Sequence, residues 1–499
     1  MNPVAGRPEL LYLRVAQSFE SQIQDRALRV GDKLPSLREL SRRRGISVGT
    51  AVAAYEWLER RGTIEVRPRS GYYVSDLRPS APEPHIVARS RPPTRVALAD
   101  VVLEIQANAR DGGLFPFGEA VIVPELLPTA RLNRAVRKAT SAFPQHAARY
   151  EEPAGSHLLR RQIARLAYRL SFRCTPDEVI VTNGAMEALN LAIQAVARPG
   201  DVVGVESPGC YEALRSLESL GVKALEIPVG PRHGPDRTQL ERAAREHGIK
   251  ALLMSSCCHN PLGYDLPDST KAEIVALGER LRIPVIEDDS FGDLAFSPQR
   301  PKPFKAFDST GSVLYCGTYS HLVAPGFHLG WIHAGRFRAE VEALKAITTS
   351  ATPTLPQLAF AEFLEAGAYE RHLRKLIKVL THSTRALAAA IAEHFPRGTR
   401  MTHPAGGFFV WVQLPENLSG LELYRAALKE GIAVVPGILF SPHGQFRDFI
   451  RLSCGWAWSD RAERAVRTLG SLVKGLSRRR SPTRRTPSRT SRRGPSSRY

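Results

Sequence analysis

From about residue 100 onward the chain alternates short apolar runs with longer amphipathic stretches, and few folds tolerate that order. Val179–Thr182, Val202–Glu206, Ala251–Met254, Val285–Glu287, Val313–Cys316 and Leu329–Ile332 read as strands. Leu158–Leu170 and Ala185–Ala197 read as helices among them. Strands separated by helices of this length form an α/β domain on a mostly parallel sheet, because the crossover helices must cover the sheet faces. After about Gly367 the pattern changes to one long helix, strands at Gly407–Gln413, Ala433–Val435 and Phe449–Ser453, and a helix at Leu421–Glu430. This predicts a smaller C-terminal lobe.

The first 76 residues follow another rule. Leu11–Ala27 has helical periodicity, broken by Gly31, Asp32 and Pro35. Ser36 with Glu39 three residues on is a capping box that opens a helix at Leu37–Arg44, and Gly45 ends it. Ser47 caps a second helix, Val48–Arg61, whose Val52, Tyr55 and Leu58 share a face. Thr63–Val66 and Gly71–Val74 then form a hairpin with Arg67 and Arg69 at its tip. Helix, Gly turn, helix and wing make a winged helix-turn-helix, mostly α. In DNA binding, Ser47 and Thr50 offer hydroxyls at a helix N-terminus, Arg38 and Arg69 neutralise phosphate, and Gly71 shapes the wing.

Composition marks the boundaries. Five prolines between Leu77 and Arg95 describe a semi-stiff linker, assigned to 77–98, between the head (1–76) and a body (99–476). The formal charge is +20, and Ser477 to Tyr499 carry nine arginines and no acid, predicting a disordered phosphate-binding tail over 477–499. A solvated terminus without a role is the alternative. The six cysteines show no CxxC pair and no metal-ligand spacing, so free thiols and no metal are expected in a reducing, cytoplasmic compartment. No apolar run reaches the ~20 residues of a membrane helix.

The head resembles the GntR family of regulators through Gly31-Asp32-Lys33-Leu34-Pro35-Ser36-Leu37-Arg38-Glu39-Leu40, Gly45-Ile46-Ser47-Val48, Ala54-Tyr55-Glu56-Trp57-Leu58 and Arg69-Ser70-Gly71-Tyr72-Tyr73-Val74. Many relatives carry arginine where Val48 stands. The body is similar to fold-type I pyridoxal-phosphate aminotransferases, and the whole resembles the MocR subfamily of transcriptional regulators. The resemblance implies a homodimer and places the cofactor among named residues. Gly184, Ala185, Met186 and Ser320 would hold the phosphate, helped by Tyr150 reaching across from the partner. Asn260 and Asp288 would hold the pyridine ring, and Arg451 would grip a substrate carboxylate.

Four positions depart together. His321 replaces the Schiff-base lysine, His328 the phosphate arginine, Phe291 a tyrosine, and Cys210 the aromatic that stacks on the ring. An imidazole forms no stable imine, so transamination is expected to be lost. Plainer roles stand beside these: a packed turn for His321, strand-end bracing for Asp288 and Asn260, and an internal ion pair for Arg451. The leading expectation is a DNA-binding regulator that dimerises and senses an amino acid or pyridoxal-phosphate-like effector without covalent chemistry. An active aminotransferase with an accessory head, and a scaffold that only dimerises, are the alternatives.

Overall fold

The structure, a computed structural model, describes residues 11–25, 27–60, 63–67, 70–74, 81–84, 86, 91–97, 102–105, 113–415 and 418–480. The head contains α1 (Leu11–Gln24), α2 (Leu37–Arg44), α3 (Val48–Arg60), β1 (Ile64–Arg67) and β2 (Gly71–Val74). Ser36 Oγ accepts from the Glu39 N–H at 3.3 Å, and Gly45, left-handed, closes α2 by donating to the Ser41 carbonyl. Tyr55 and Leu58 of α3 are fully buried with Leu34, Leu40, Ile64 and Val74. Each such side chain contributes about 1.5–3 kcal/mol on burial, which gives the head a core of its own.

The body's strands up to residue 333 are β3 (Thr94–Arg95), β4 (Phe115–Pro116), β5 (Val179–Asn183), β6 (Val202–Ser207), β7 (Lys223–Gly230), β8 (Gly234–Pro235), β9 (Ala251–Met254), β10 (Val285–Asp288), β11 (Val313–Thr318) and β12 (Leu329–His333). One sheet runs β3-β7-β6-β9-β10-β11-β12-β5, with β8 on β7. The pairs from β7 through β11 are parallel, whereas β12 runs antiparallel to both β11 and β5. The reversal matters for the site. It brings the start of β12, next to His328, to the same end as Asn183, Asp288 and Ser207, where the parallel strands finish. His333 and Val179 close the opposite end.

The second lobe is a four-stranded antiparallel sheet of β13 (Arg400–Met401), β14 (Phe409–Gln413), β16 (Val435–Pro436) and β17 (Phe449–Ser453), in the order β13-β14-β17-β16; β15 (Ile432–Ala433) pairs with β4 instead. Its helices are Ala368–His394, Gly420–Lys429 and Asp460–Arg480. The expected strands are present with ends shifted by a residue or two, except that Ala433–Val435 divides at Val434 into β15 and β16, which pair with different sheets. The long β7 escaped the pattern because Lys223, Glu226 and Pro228 interrupt its apolar run.

Two expectations need correction. The stretch read as a semi-stiff linker is fastened to the body at several described points: Met401 N–H donates to the Pro82 carbonyl at 3.0 Å, Glu83 pairs with Arg232 at 2.7 Å, and Thr94–Arg95 joins the large sheet beside β7. Prolines lack a donor but keep their carbonyls, so an extended Pro-rich segment can still dock as an edge. Residues 75–80, 85, 87–90 and 98–101 lie outside the described residues. The tail expected to be disordered from Ser477 instead continues the last helix to Arg480, with Ser477 Oγ donating to the Val473 carbonyl; residues 481–499 lie outside the described residues. Among the described residues no helix is long and apolar enough to cross a membrane.

Candidate functional site

At the ends of the parallel strands lies a pocket lined by Glu206, Gly209, Cys210, Leu214, Ser255 and Asp288. Asp288 ends β10, and its Oδ1 accepts from the Ser290 N–H at 3.1 Å and from the Ser290 hydroxyl. Burial pushes this carboxyl up to about 6, against the pull of the Ser290 bonds. Cys210 opens the helix Tyr211–Ser219, and its thiol donates to Glu212 Oε2 at 3.0 Å; burial, then Glu212 and Asp288, hold it well above the usual thiol range. A thiol in that state is an inert filler where a stacking ring would stand.

Asn260 and Arg451 meet on the wall of the second lobe. Arg451 Nη1 donates to Asn260 Oδ1 at 3.1 Å and Nη2 to the Gly118 carbonyl at 3.0 Å, while Asn260 Nδ2 lies 3.7 Å from Cys210 Sγ. The guanidinium is fully buried, its Nε has no partner, and no carboxylate pairs with it among the described residues. The rings of Phe409, Phe440 and Tyr211 flank it at 4.5, 5.4 and 5.6 Å. Cation–π contact and neutral acceptors offset part of the cost of burying this charge; an ion pair would offset more. The internal ion pair weighed from the sequence is therefore not made.

His321 occupies the turn after β11. Its ring lies 5.1 Å from Phe291, so two of the four altered positions touch. Phe291 packs in turn on Phe409. Burial lowers the His321 basicity, opposed by Glu212 and reinforced by His328, so the ring is neutral near pH 7. The lysines that could substitute for an anchor are held elsewhere: Lys302 by Asp268, Lys305 by Asp308 and Lys345 by Glu187.

Gly184 starts the helix Gly184–Val196 with φ +71°, and an added Cβ would stand 2.6 Å from the His328 ring, so only glycine lets that imidazole lie on the turn. Ala185 is buried and Met186 half-buried in the same first turn. Asn183, which precedes them, makes no side-chain cap, and its N–H donates to Glu187 Oε2 at 2.5 Å. Ser320 is otherwise engaged. Its buried hydroxyl donates to the Leu329 carbonyl at 3.3 Å, a bond inside its own hairpin. Tyr150 is 97% exposed and joins none of these contacts within the chain.

In the head, Arg38 is exposed, and Val48 stands 49% exposed at the start of α3. Ser47 Oγ accepts from the Thr50 N–H at 3.0 Å and lies 2.8 Å from Thr50 Oγ1, so these hydroxyls cap the helix and bond to each other before they meet any phosphate. Gly71 has φ +116° with the Lys33 side chain 3.4 Å from where a Cβ would be. Arg69 lies outside the described residues.

Sequence reading missed Glu212 and Gly118. An acid in the first turn of the helix after Cys210 was a usable signal for Glu212. Gly118 contributes a backbone carbonyl, which no residue type announces.

The model of the aminotransferase class I and II family matches residues 127–468, and that of the gntR family of bacterial regulatory proteins matches 11–74. The chain is 35% identical to the Escherichia coli HTH-type transcriptional regulator YdcR over 93% of this chain and 99% of that one. It is 27% identical to the Bacillus subtilis HTH-type transcriptional regulator YdfD over 94% and 97%. Among solved structures, the multiple substrate aminotransferase of Thermococcus profundus superposes with a TM-score of 0.71 at 26% identity, covering 76% of this chain and 96% of that one. The α-aminoadipate aminotransferase LysN of Thermus thermophilus gives 0.70 at 28%, covering 76% and 96%.

Proposed function

Because the chain belongs to the MocR-type HTH transcriptional regulators, a gntR-family head on a class I and II aminotransferase body, we propose that the body serves this DNA-binding regulator as a small-molecule sensor that holds its ligand without a covalent bond. The observation that carries the proposal is Arg451: a fully buried guanidinium, partnered among the described residues only by neutral acceptors and with Nε unpaired, set behind the pocket wall through Asn260 and Cys210. A ligand carboxylate supplies the charge and the acceptor that the protein withholds, in the planar geometry a guanidinium prefers.

The residues fit pyridoxal phosphate in part. Asp288 and Asn260 would hold the ring, and the Gly184–Met186 turn with His328 would hold the phosphate; His321 offers no primary amine for attachment. When bound, the cofactor supplies an electron-withdrawing ring and a dianionic phosphate. The chain's own part is to orient a carboxylate at Arg451 and to keep Asp288 in a partly dry pocket. Tyr150, exposed on a single chain, suits a contact across a subunit boundary, and we assign the body a second role as the dimerisation unit.

The test is fluorescence anisotropy of the full-length protein on duplexes enriched by repeated selection, with and without pyridoxal phosphate and individual amino acids. At least one carboxylate ligand should shift DNA affinity severalfold, and Arg451→Lys should abolish that shift while leaving ligand-free DNA affinity unchanged. DNA affinity indifferent to every such ligand would sink the sensor reading.

A further inference from the structure

We infer that Cys174, Glu178 and His333 form a binding site for a divalent transition-metal ion of the zinc class, at the end of the sheet remote from the pocket. One ligand atom from each of the three lies within 4.8 Å of the others. The fold creates this convergence. His333 is the last residue of β12 and pairs in register with Val179, the first residue of β5; Glu178 directly precedes Val179, and Cys174 sits four residues earlier on the approach to the strand.

His333 is 5% exposed, and neither of its ring nitrogens has a hydrogen-bond partner among the described residues. A buried polar group left unpaired costs about 1–3 kcal/mol, and coordination by a metal would satisfy one nitrogen outright. Glu178 is already oriented. Its Oε2 accepts from the Thr175 N–H at 2.7 Å and the Thr175 hydroxyl at 2.9 Å, which leaves Oε1 turned toward His333 Nε2 at 4.0 Å, too long for a hydrogen bond. A carboxylate ligand braced in this way is what a metal site requires around its first contacts.

A thiolate, an imidazole and a carboxylate suit Zn²⁺ better than Mg²⁺ or Ca²⁺, which prefer oxygen alone. Burial and Glu178 hold the Cys174 thiol above the usual range, so coordination releases its proton to solvent, after which thiolate and carboxylate together cancel the ion's two positive charges. Lys305, the nearby cation, is bonded to Asp308 at 2.7 Å and to the Val313 carbonyl at 2.9 Å, so its charge is largely compensated. Bond lengths of about 2.0–2.3 Å set ligand atoms roughly 3.5 Å apart in a tetrahedron, so the three must close by about 1 Å. Cys174 and Glu178, on a partly exposed segment, can make that movement while the sheet fixes His333. The fourth position remains for water, beside a narrow crevice with Cys174 and His333 on its wall and Leu166, Leu170, Phe172 and Trp331 around it. The ion would staple the segment before β5 to the end of β12.

The experiment titrates Co²⁺ and then Zn²⁺ into chelator-stripped full-length protein, reading absorbance and heat. The expected result is one ion per chain, with a thiolate-to-cobalt charge-transfer band that Zn²⁺ displaces. Cys174→Ser should abolish the band, and both it and Glu178→Gln should weaken Zn²⁺ binding at least about tenfold at unchanged circular dichroism. Glu178 is about half exposed and Cys174→Ser changes a single atom, so neither change puts the core at risk. Absence of the band in the unaltered protein, or Zn²⁺ binding undiminished in both variants, overturns the assignment.

Discussion

The imidazole of His321 rests on the ring of Phe291, centroids 5.1 Å apart and planes tilted by 33°. Both stand where the resemblance to aminotransferases implies polar, reactive groups, and here they form one packed, uncharged pair. The replacement of the anchor and the apolar neighbour beside it are thus parts of one rearrangement: a neutral imidazole accepts an aromatic neighbour that would be a poor partner for a charged amine needing solvation.

Restoring the amine tests how much of the pocket survives. His321→Lys should take up one pyridoxal phosphate per chain, giving a near-visible absorbance band that borohydride converts to a permanent mass addition. The unaltered protein should show neither at equimolar cofactor. A band fixed by borohydride in the unaltered protein would identify another lysine as the anchor and revive the enzyme reading.

Arg451 should prove costly to remove and informative to shorten. Arg451→Met leaves Asn260 Oδ1 and the Gly118 carbonyl without their donors, and at about 1 kcal/mol or more each the loss should be roughly 2–4 kcal/mol by urea denaturation. Arg451→Lys keeps the charge but loses the two-pronged donor, so its stability loss should be smaller while carboxylate-ligand affinity falls at least about tenfold. Equal ligand affinity in Arg451→Lys would remove Arg451 from the ligand site.

Asp288 makes stability depend on pH in a direction opposite to that of an ion-paired carboxylate. Its folded-state value, raised to about 6, lies above the unfolded value near 3.9, so the folded state binds the proton more tightly. Its contribution is therefore most favourable below about pH 4 and is lost as pH rises through about 6. Asp288→Asn keeps an acceptor for Ser290 and removes the ionisation, so it should be more stable than the unaltered protein at pH 7, by up to about 3 kcal/mol, with the difference vanishing near pH 4. Denaturant melts at the two pH values decide it; a variant less stable at both would contradict the sign.

Val48 stands exposed at the start of α3, where the resemblance to the GntR family implies arginine. Val48→Arg should leave thermal stability unchanged and steepen the dependence of log Kd on log salt by about 0.9, one additional phosphate neutralised. Ser47→Ala, by contrast, removes the cap on Thr50 and should cost about 1 kcal/mol in head stability along with DNA affinity. An unchanged salt slope in Val48→Arg would place that turn of α3 away from the DNA backbone.

Local patterns in the sequence account for much of this protein. Ser36, Gly45 and Ser47 mark helix ends because capping is a contact between near neighbours, and the apolar runs from Val179 to Ile332 mark strands because burial on both sheet faces leaves no room for polar alternation. The substitutions at His321, His328, Phe291 and Cys210 are likewise written in order along the chain. Only the tertiary structure could decide that Arg451 finds Asn260 and Gly118 and, among the described residues, no carboxylate, that Ser320 turns back on Leu329, and that Pro82 and Thr94–Arg95 are fastened to the body. It alone brings Cys174 and Glu178 to His333, more than 150 residues away in sequence, through the antiparallel pairing of β12 with β5. The reason is physical: charge compensation, hydrogen-bond satisfaction and ligand convergence are set by distances across the sheet and between lobes, and those distances leave no period in the sequence to read.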